Sequence, residues 1–473
     1  QACRPLRRFC LIFEPIRYRI RYNHVVFASL SPTALNVSVQ PTTKACQIRI
    51  TVRLRPGAYP DLYTAAYVAQ GICMKQPRTC RSCGSSELML FLSLGRIPLT
   101  SILSSDQLAA PEERRSLEVA FCRRCSLVQR IDEGTSSSPG FSAHPVGGVL
   151  EGLVNNPQAV VLALEGSSPA QLHAFVQAGA KVIYLEPNPE QSKALAGRGI
   201  HIRPLSFNRK SAKVLLEEGL KADVILVNPL PSYSSDLNGL FESLAALLGN
   251  AGLAILELPY VREFLEAGQF EHFSHQQLNY FSVHAIYQLA RRHGLQIQEI
   301  EPLAAGHMRY FLGKAQDLGS SAHWYLEEEQ ALGLTDATYY IEFSSRIAAT
   351  REALVALLTE LRARGRRMAA FGANTRSMAL LNYVGLGREV IEFVVDPDKN
   401  THGRYLAGVH IPIYGPKKLL EEQPDYLLLL EDPSDEITKQ HEAYLQGGGK
   451  FIVALPYPEI LKPSLKSKAQ AGK

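Results

Sequence analysis

The sequence predicts an α/β protein: a small zinc-binding module followed by two Rossmann-like, doubly wound domains. Three observations predict it. Two C-x-x-C pairs, Cys80/Cys83 and Cys122/Cys125, lie within one short stretch. Apolar runs alternate with helical patterns from about residue 158 to 315. The same alternation restarts after Gly365.

Each C-x-x-C pair is a two-residue knuckle that aims two thiolates at one point. Four thiolates suit a tetrahedral Zn2+, and four protein ligands leave no open position for substrate. Two chance pairs or a redox C-x-x-C are the competing readings. The metal is expected to be structural, so the chemistry must lie further along.

Composition bounds the rest. A chain of 473 residues calls for several domains, each with its own core. No apolar run approaches a membrane span, so no membrane partner is expected. The other cysteines, Cys3, Cys10, Cys46 and Cys73, all precede the zinc module. That distribution is not a disulfide scaffold, and a reducing cytoplasm fits it.

Residues 1–73 differ from the remainder. They hold nine arginines and Lys44 against only Glu14 and Asp61, and they contain no methionine. The segment contributes +8 to a net charge of +5, leaving −3 for everything after it. The basic balance is therefore local, and no nucleic-acid partner is expected. The segment shows no amphipathic period, clean strand alternation or signal-peptide architecture. It reads as an extension before a start near Met74, with a transit peptide or a real extra domain as alternatives.

From Met74 the organisation is regular. The zinc-binding domain is placed at 74–145 and ends in a Gly/Ser/Pro-rich connector, Glu133 to Gly148. The first Rossmann-like domain spans 146–320. Ala159–Leu164 is a continuous apolar run, as in a buried parallel strand. A helix over Gln171–Ala178 follows, then strands at Lys181–Leu185 and Ala222–Val227. A helix over Leu240–Leu248 and a strand over Leu253–Leu258 flank the turn Asn250-Ala251-Gly252. An amphipathic helix, roughly Thr335–Arg364, leads into the second Rossmann-like domain, 321–462. Its strands are Arg367–Phe371, Val390–Val395, Tyr426–Leu430 and Phe451–Ala454. Residues 463–473 form a basic tail.

Doubly wound sheets bind ligands at the carboxyl ends of their strands. In the first such domain, Glu186 ends strand two, where an acid accepts ribose hydroxyls. The first turn runs Glu165-Gly166-Ser167-Ser168-Pro169-Ala170. It has one glycine, and Pro169 removes a backbone donor. Asn228, after strand three, is grouped with Gly166 and Glu186 as cofactor-binding.

The order of these parts resembles a known family. A C-x-x-C pair, L-G-R-I-P-L (Leu94–Leu99), a second C-x-x-C pair and a Rossmann-like domain are similar to the three-domain sugar C-methyltransferases. E-L-P-Y (Glu257–Tyr260), G-Q-F-E (Gly268–Glu271) and L-N-Y-F-S (Leu278–Ser282) also fit. So do G-A-N-T-R-S-M-A-L-L-N-Y, from Gly372, and V-V-D-P-D-K-N-T-H-G-R-Y-L-A-G-V-H-I-P-I, from Val394. The resemblance covers about residues 78–460. It implies S-adenosylmethionine as cofactor and a nucleotide-linked keto-deoxysugar as substrate, methylated at a carbon beside the keto group.

The departures fall where the chemistry belongs. The family loop E-x-G-S-N-D-G is here Leu164–Ala170, without the Asn-Asp pair or second glycine. The family stretch Y-H-E-H-L-S-Y-F-S is here Ser274–Ser282, with Ser274, Gln276 and Gln277 at the tyrosine, glutamate and second histidine. H-G-G-S-L-R is here Ala304–Arg309. Gln and unactivated Ser are not general bases near neutral pH, whereas His is. The resemblance therefore leaves His275 or His307 as base and Tyr280 as positioner, with Arg309 in the retained motif. In the second Rossmann-like domain, Arg376, Asn382, Tyr383 and Arg404 are expected to face sugar or phosphate, because guanidinium groups pair well with diphosphate. The alternative is a catalytically impaired relative that keeps zinc and sugar-nucleotide binding.

One expectation is testable directly. A chain starting at Met74 should melt at the same temperature as the full sequence in a thermal unfolding experiment. A large drop would show that the first 73 residues pack on the core.

Overall fold

The computed structural model describes residues 79–131, 158–195, 197–228 and 230–461, together with the backbone of three strands between 35 and 70. The chain divides into two compact units, Gln1–Pro77 and Arg78–Lys473. The first contains an antiparallel sheet of β1 (Leu35–Pro41), β2 (Gln47–Leu54) and β3 (Ala66–Gln70). This corrects the expectation of no strand pattern there. Ile48, Ile50 and Val52 alternate with Arg49, Thr51 and Arg53, a strand period that the arginine count obscures. The predicted connector after Glu133 and the basic tail lie outside the described residues.

The second unit opens with the zinc module: β4 (Leu88–Pro98), β5 (Ile102–Leu103), β6 (Arg114–Cys122) and β7 (Val128–Arg130). β4, β6 and β7 form an antiparallel sheet. The fourth strand of that sheet, β13 (Asn279–Tyr280), comes from the next domain.

The central domain is a seven-stranded sheet. Its strands are β8 (Val160–Ala163), β9 (Lys181–Leu185), β10 (Ile200–Arg203), β11 (Ala222–Val227), β12 (Leu248–Pro259), β14 (Gln296–Leu303) and β15 (His307–Gly313). The order is β10-β9-β8-β11-β12-β15-β14. The first five are parallel, and β15 runs antiparallel between β12 and β14. The order reverses between β8 and β11, the switch point at which such sheets bind ligands. The inner parallel strands β8, β9 and β11 are buried on both faces over most of their length, which explains their apolar runs. Between β11 and β12 the ladder jumps from Leu248 to Leu253, where the sequence places its turn. The short β10 and the β14–β15 hairpin escape the sequence reading. β10 alternates over only four residues, and neither β14 nor β15 keeps a regular period of two.

The C-terminal domain repeats the plan. β16 (Met368–Phe371), β17 (Val394–Val395), β19 (Ile411–Tyr414), β20 (Tyr426–Leu429) and β21 (Lys450–Val453) are parallel, in the order β21-β20-β16-β17-β19. The strand predicted over Val390–Val395 is reduced to its last two residues. At the far edge, β18 (Tyr405–Leu406) pairs with β5 of the zinc module.

The helix Ala337–Ala363 joins these parts. It buries Tyr340, Phe343, Ile347, Thr350, Leu354, Leu358 and Leu361, spaced three or four apart along one face. That face meets Phe91 and Phe121 of the zinc module, Phe273 of the central domain and Met368 of the C-terminal domain in one core.

Two buried charges tie the central sheet. Arg309 on β15 donates through Nε and Nη2 to Glu257 on β12, at 3.0 and 2.7 Å, and through Nη1 to Glu301 on β14, at 2.8 Å. These are its cross-strand neighbours. The carboxylate of Glu329 is fully buried. It accepts from Tyr260 Oη and from the backbone N–H groups of Val283 and His284, at the N-terminus of the helix Val283–Arg292.

Arg309→Met should therefore cost about 3–5 kcal/mol in urea unfolding, because it leaves Glu257 buried without its partner. Double replacement of Arg309 and Glu257 by apolar residues should recover most of that loss.

Candidate active site and metal centre

The four cysteine sulfurs converge. Sγ of Cys80 lies 3.5 Å from that of Cys125, and Cys83 lies 3.6 Å from Cys122. All four fall within 4.8 Å of one another. A tetrahedral zinc with Zn–S bonds of about 2.3 Å spaces its sulfurs about 3.8 Å apart, so the set fits that ion. The two knuckles are built alike. Gly84 N donates to Cys80 O and Ser126 N to Cys122 O, each at 2.9 Å. Both closing residues have positive φ, 70° at Gly84 and 57° at Ser126.

The first knuckle docks on the central domain. Asn238 Nδ2 donates to the carbonyls of Arg81 and Ser82, and Arg292 donates to Ser82. Within the module, Arg81 N donates to Gln129 Oε1 at 3.1 Å and Arg81 Nη1 to the Arg130 carbonyl at 2.5 Å. Both partners lie on β7, which pairs with β13 in the register Gln129↔Asn279 and Val128↔Tyr280. The zinc knuckle thus holds the strand that holds Tyr280.

At the carboxyl ends of the central sheet, Gly166 takes φ 92° in the turn after β8. Ser168 then caps the helix Pro169–Gln177 by accepting from Gln171 N. Glu186 is buried after β9. Its Oε2 accepts from Tyr184 Oη at 2.7 Å and its Oε1 from Asn188 N at 2.8 Å. Burial, and then the charge of Glu186, raise the Glu165 carboxyl. No cation pairs with either acid among the described residues. Asn228 is fully buried; its Oδ1 accepts from Glu257 N, and its Nδ2 has no partner. Two acids and an orphaned amide donor around a turn with positive φ fit a cationic ligand with hydroxyl groups to bond.

A cavity of about 570 Å³ lies between the central and C-terminal domains. The central domain contributes Pro259 at the end of β12, with His272, Gln277, Tyr280 and His307. The C-terminal domain contributes Arg376 and Asp432, which follow β16 and β20. The second sheet reverses order between those two strands, so the cavity sits at the switch point of that sheet. Gly372, at φ 95°, makes that turn; a Cβ there would meet Glu431 Cγ at 2.7 Å.

The cavity gathers some predicted residues and not others. Tyr280 is there, its buried hydroxyl accepting from Ser274 N at 3.0 Å, and burial pushes the phenol well up. His307 is there, its Nδ1 set 3.0 Å from the carbonyl of Ala305, so that Nε2 is the basic nitrogen. Ala305 holds a strained φ of 57° to make this turn. Arg376 is there, with Nη1 3.1 Å from His272 Nε2. His275 does not line the cavity, and both its ring nitrogens are buried.

Three expected substrate residues are committed elsewhere. Arg309 is spent on its ion pairs within the sheet. Asn382 Nδ2 donates to the carbonyls of Met378 and Ala407, fastening a helix to the chain after β18. Tyr383 packs on Phe270 with ring centroids 4.8 Å apart. Arg404 is exposed and does not line the cavity. Sequence reasoning assigned no role to His272 or Asp432. Asp432 follows the fourth parallel strand of its sheet, and the strand-end rule alone points to it. Glu271, beside His272, is buried, and burial pushes its carboxyl up to about 7, against the pull of Arg376.

Metal analysis of the purified protein should give about one zinc per chain. Stripping it with a chelator should raise amide hydrogen exchange at Val128–Arg130 and Asn279–Tyr280 together, since the knuckle supports both strands. Exchange confined to the cysteine loops would break the link between the metal and Tyr280.

A family model described as a C-methyltransferase C-terminal domain matches residues 302–456, and a zinc-binding domain model matches 80–137. The C-methyltransferase NovU of Streptomyces niveus is 27% identical over 406 residues, covering 81% of this chain and 96% of the relative. Among solved structures, a ribosomal protein L11 methylase from Lactobacillus delbrueckii subsp. bulgaricus is 16% identical. The match covers 37% of this chain and 80% of that one, with a TM-score of 0.26. An O-methyltransferase family protein from Burkholderia thailandensis is 12% identical over 36% and 56% of the two chains, with a TM-score of 0.29. Neither structural likeness bears on the chemistry. The two family models, one over each end of the second unit, and the near full-length relative place this chain in the zinc-containing C-methyltransferase family.

Proposed function

We propose that the protein is an S-adenosylmethionine-dependent C-methyltransferase acting on a nucleotide-linked keto-deoxysugar. The observation that carries this reading is the interdomain cavity, which brings Tyr280, two histidines and Arg376 together beside the carboxyl ends of the central sheet. Methylation at a carbon next to a ketone needs a base for the carbon-bound hydrogen and a donor for the charge that develops on oxygen. Histidines supply the first and Arg376 the second.

The cofactor supplies an electrophilic methyl group. Glu186 would accept its ribose hydroxyls, the turn at Gly166 would face its amino-acid end, and Asn228 Nδ2 would offer a buried donor. Arg376 is also suited to the diphosphate, since guanidinium groups give paired bonds to phosphate oxygens. Asp432 offers an acceptor for a sugar hydroxyl. Tyr280 borders the cavity with its hydroxyl oriented by Ser274 N, as a group that positions substrate requires.

A second reading, a relative that keeps zinc and ligand binding but has lost turnover, is favoured by Gln277. It lines the cavity where the family stretch carries a histidine.

Transfer of labelled methyl from S-adenosylmethionine to a keto-sugar nucleotide separates the two, with turnover expected. Glu186→Ala should weaken cofactor binding by roughly 1.5–3 kcal/mol in a calorimetric titration. Cofactor binding without turnover on any keto-sugar would leave the second reading standing. Binding unaffected by the substitution would reject the placement of the ribose.

A further inference from the structure

His272 belongs to none of the residues expected to carry the chemistry, yet it is the most completely built group in the cavity. It closes the short turn Phe270–His272 and faces Arg376 across the domain boundary. Its ring stacks on Phe264, with centroids 5.3 Å apart and planes 7° from parallel, and this fixes its orientation. Nη1 of Arg376 donates to Nε2 at 3.1 Å. A guanidinium only donates, so Nε2 must be the unprotonated nitrogen of a neutral imidazole. Burial, followed by the charges of Arg376 and His307, pulls this histidine down to about 4, against the opposing pull of Asp432. Glu263 also borders the cavity, and Glu271 adjoins His272 in sequence. Near neutral pH the ring is in its base form.

A ketone presents two neighbouring features in this reaction: a C–H bond to be broken and an oxygen that gains charge. A basic nitrogen and a guanidinium N–H lying 3.1 Å apart offer one partner to each. We infer that His272 is the general base of the cavity and that Arg376 holds the enolate oxygen. The inference rests on the C-methyltransferase reading above and assigns the base within it.

On substrate entry the carbonyl oxygen accepts the Arg376 N–H and so releases Nε2. The C–H bond beside the carbonyl breaks, the proton passes to Nε2, and the electron pair moves onto the oxygen at Arg376. As the carbon takes the donor's methyl group, that pair returns to form the new C–C bond. The donor's C–S bond breaks and leaves a neutral sulfide. His272 then releases its proton to water. The same arginine keeps the imidazole unprotonated beforehand and steadies the anion afterwards. Gln277, which cannot take the proton, is thereby bypassed on the same wall.

Exchange of the substrate's carbon-bound hydrogen into deuterated water reads the base step with no methyl donor present. With a thymidine-diphosphate keto-deoxysugar as probe, the full chain should exchange. His272→Asn and Arg376→Gln should each lower the rate by about 100- to 10,000-fold. His323→Asn, on an exposed helix position, serves as the control and should keep the rate. Loss of the cation in Arg376→Gln lets His272 titrate higher, so the acid limb of the residual rate should move to higher pH. A purely structural histidine would not move that limb. If His272→Asn melts early, His272→Gln and an NMR titration of the imidazole in Arg376→Gln carry the same test. Exchange retained in His272→Asn but lost in His307→Asn overturns the assignment and leaves the methyltransferase reading intact. Neither exchange nor methyl transfer by the parent chain overturns both.

Discussion

The pairing of β7 with β13 is the contact on which the rest of the site depends. It is only two residues long, Gln129 with Asn279 and Val128 with Tyr280. An isolated two-residue ladder has little stability of its own. Here it is reinforced from both sides. Arg130 N donates to Leu278 O, and Arg81 clamps β7 from the knuckle. On the other side, Asn279 Nδ2 donates to the carbonyls of Pro231 and Ser234. The four-cysteine cluster therefore has a direct line to the cavity wall. Three buried cysteines and the half-buried Cys83 set the knuckle, the knuckle sets Arg81, and Arg81 sets the strand beside Tyr280.

The zinc module also lends β5 to the edge of the C-terminal sheet through β18. It thus takes a strand from one Rossmann-like domain and gives a strand to the other. With the helix Ala337–Ala363 packed against all three, the two large sheets are held with their carboxyl ends toward one cavity. That arrangement explains why a site assembled from two domains can be built to close tolerance. The bond between His272 and Arg376 spans the boundary, and a small rotation of either domain would break it.

Much of this was legible in the residues, and the failures are instructive. The cysteine spacing pointed to the four-sulfur cluster because a tetrahedral site needs four ligands and little else from its neighbours. The inner parallel strands were legible because burial on both faces leaves apolar runs. Motif retention misled at Arg309. Glu257 and Arg309 stand in two separate motifs, and the fold makes them cross-strand partners in a buried ion pair. They are kept together by the cost of orphaning either charge, which resembles a functional constraint when only the sequence is in view. Asn382 misled in the same way, since its amide serves backbone carbonyls at a helix junction.

His272 shows the opposite failure. Nothing local marks it, since its meaning comes from Arg376, which is 104 positions away. A catalytic histidine is recognisable by what orients it and what shares its proton, and both partners here are supplied by tertiary structure: Phe264 beneath the ring and Arg376 on the far domain. The substitutions that remove the expected base at Gln277 then acquire a different meaning. Replacing a histidine by glutamine at one point of a cavity wall abolishes a reaction only if no other lone pair can reach the same carbon. A neutral imidazole bonded to a guanidinium on that wall meets the need in both charge and geometry. Departure from a motif is therefore weak grounds for loss of activity until the remaining groups of the cavity have been placed.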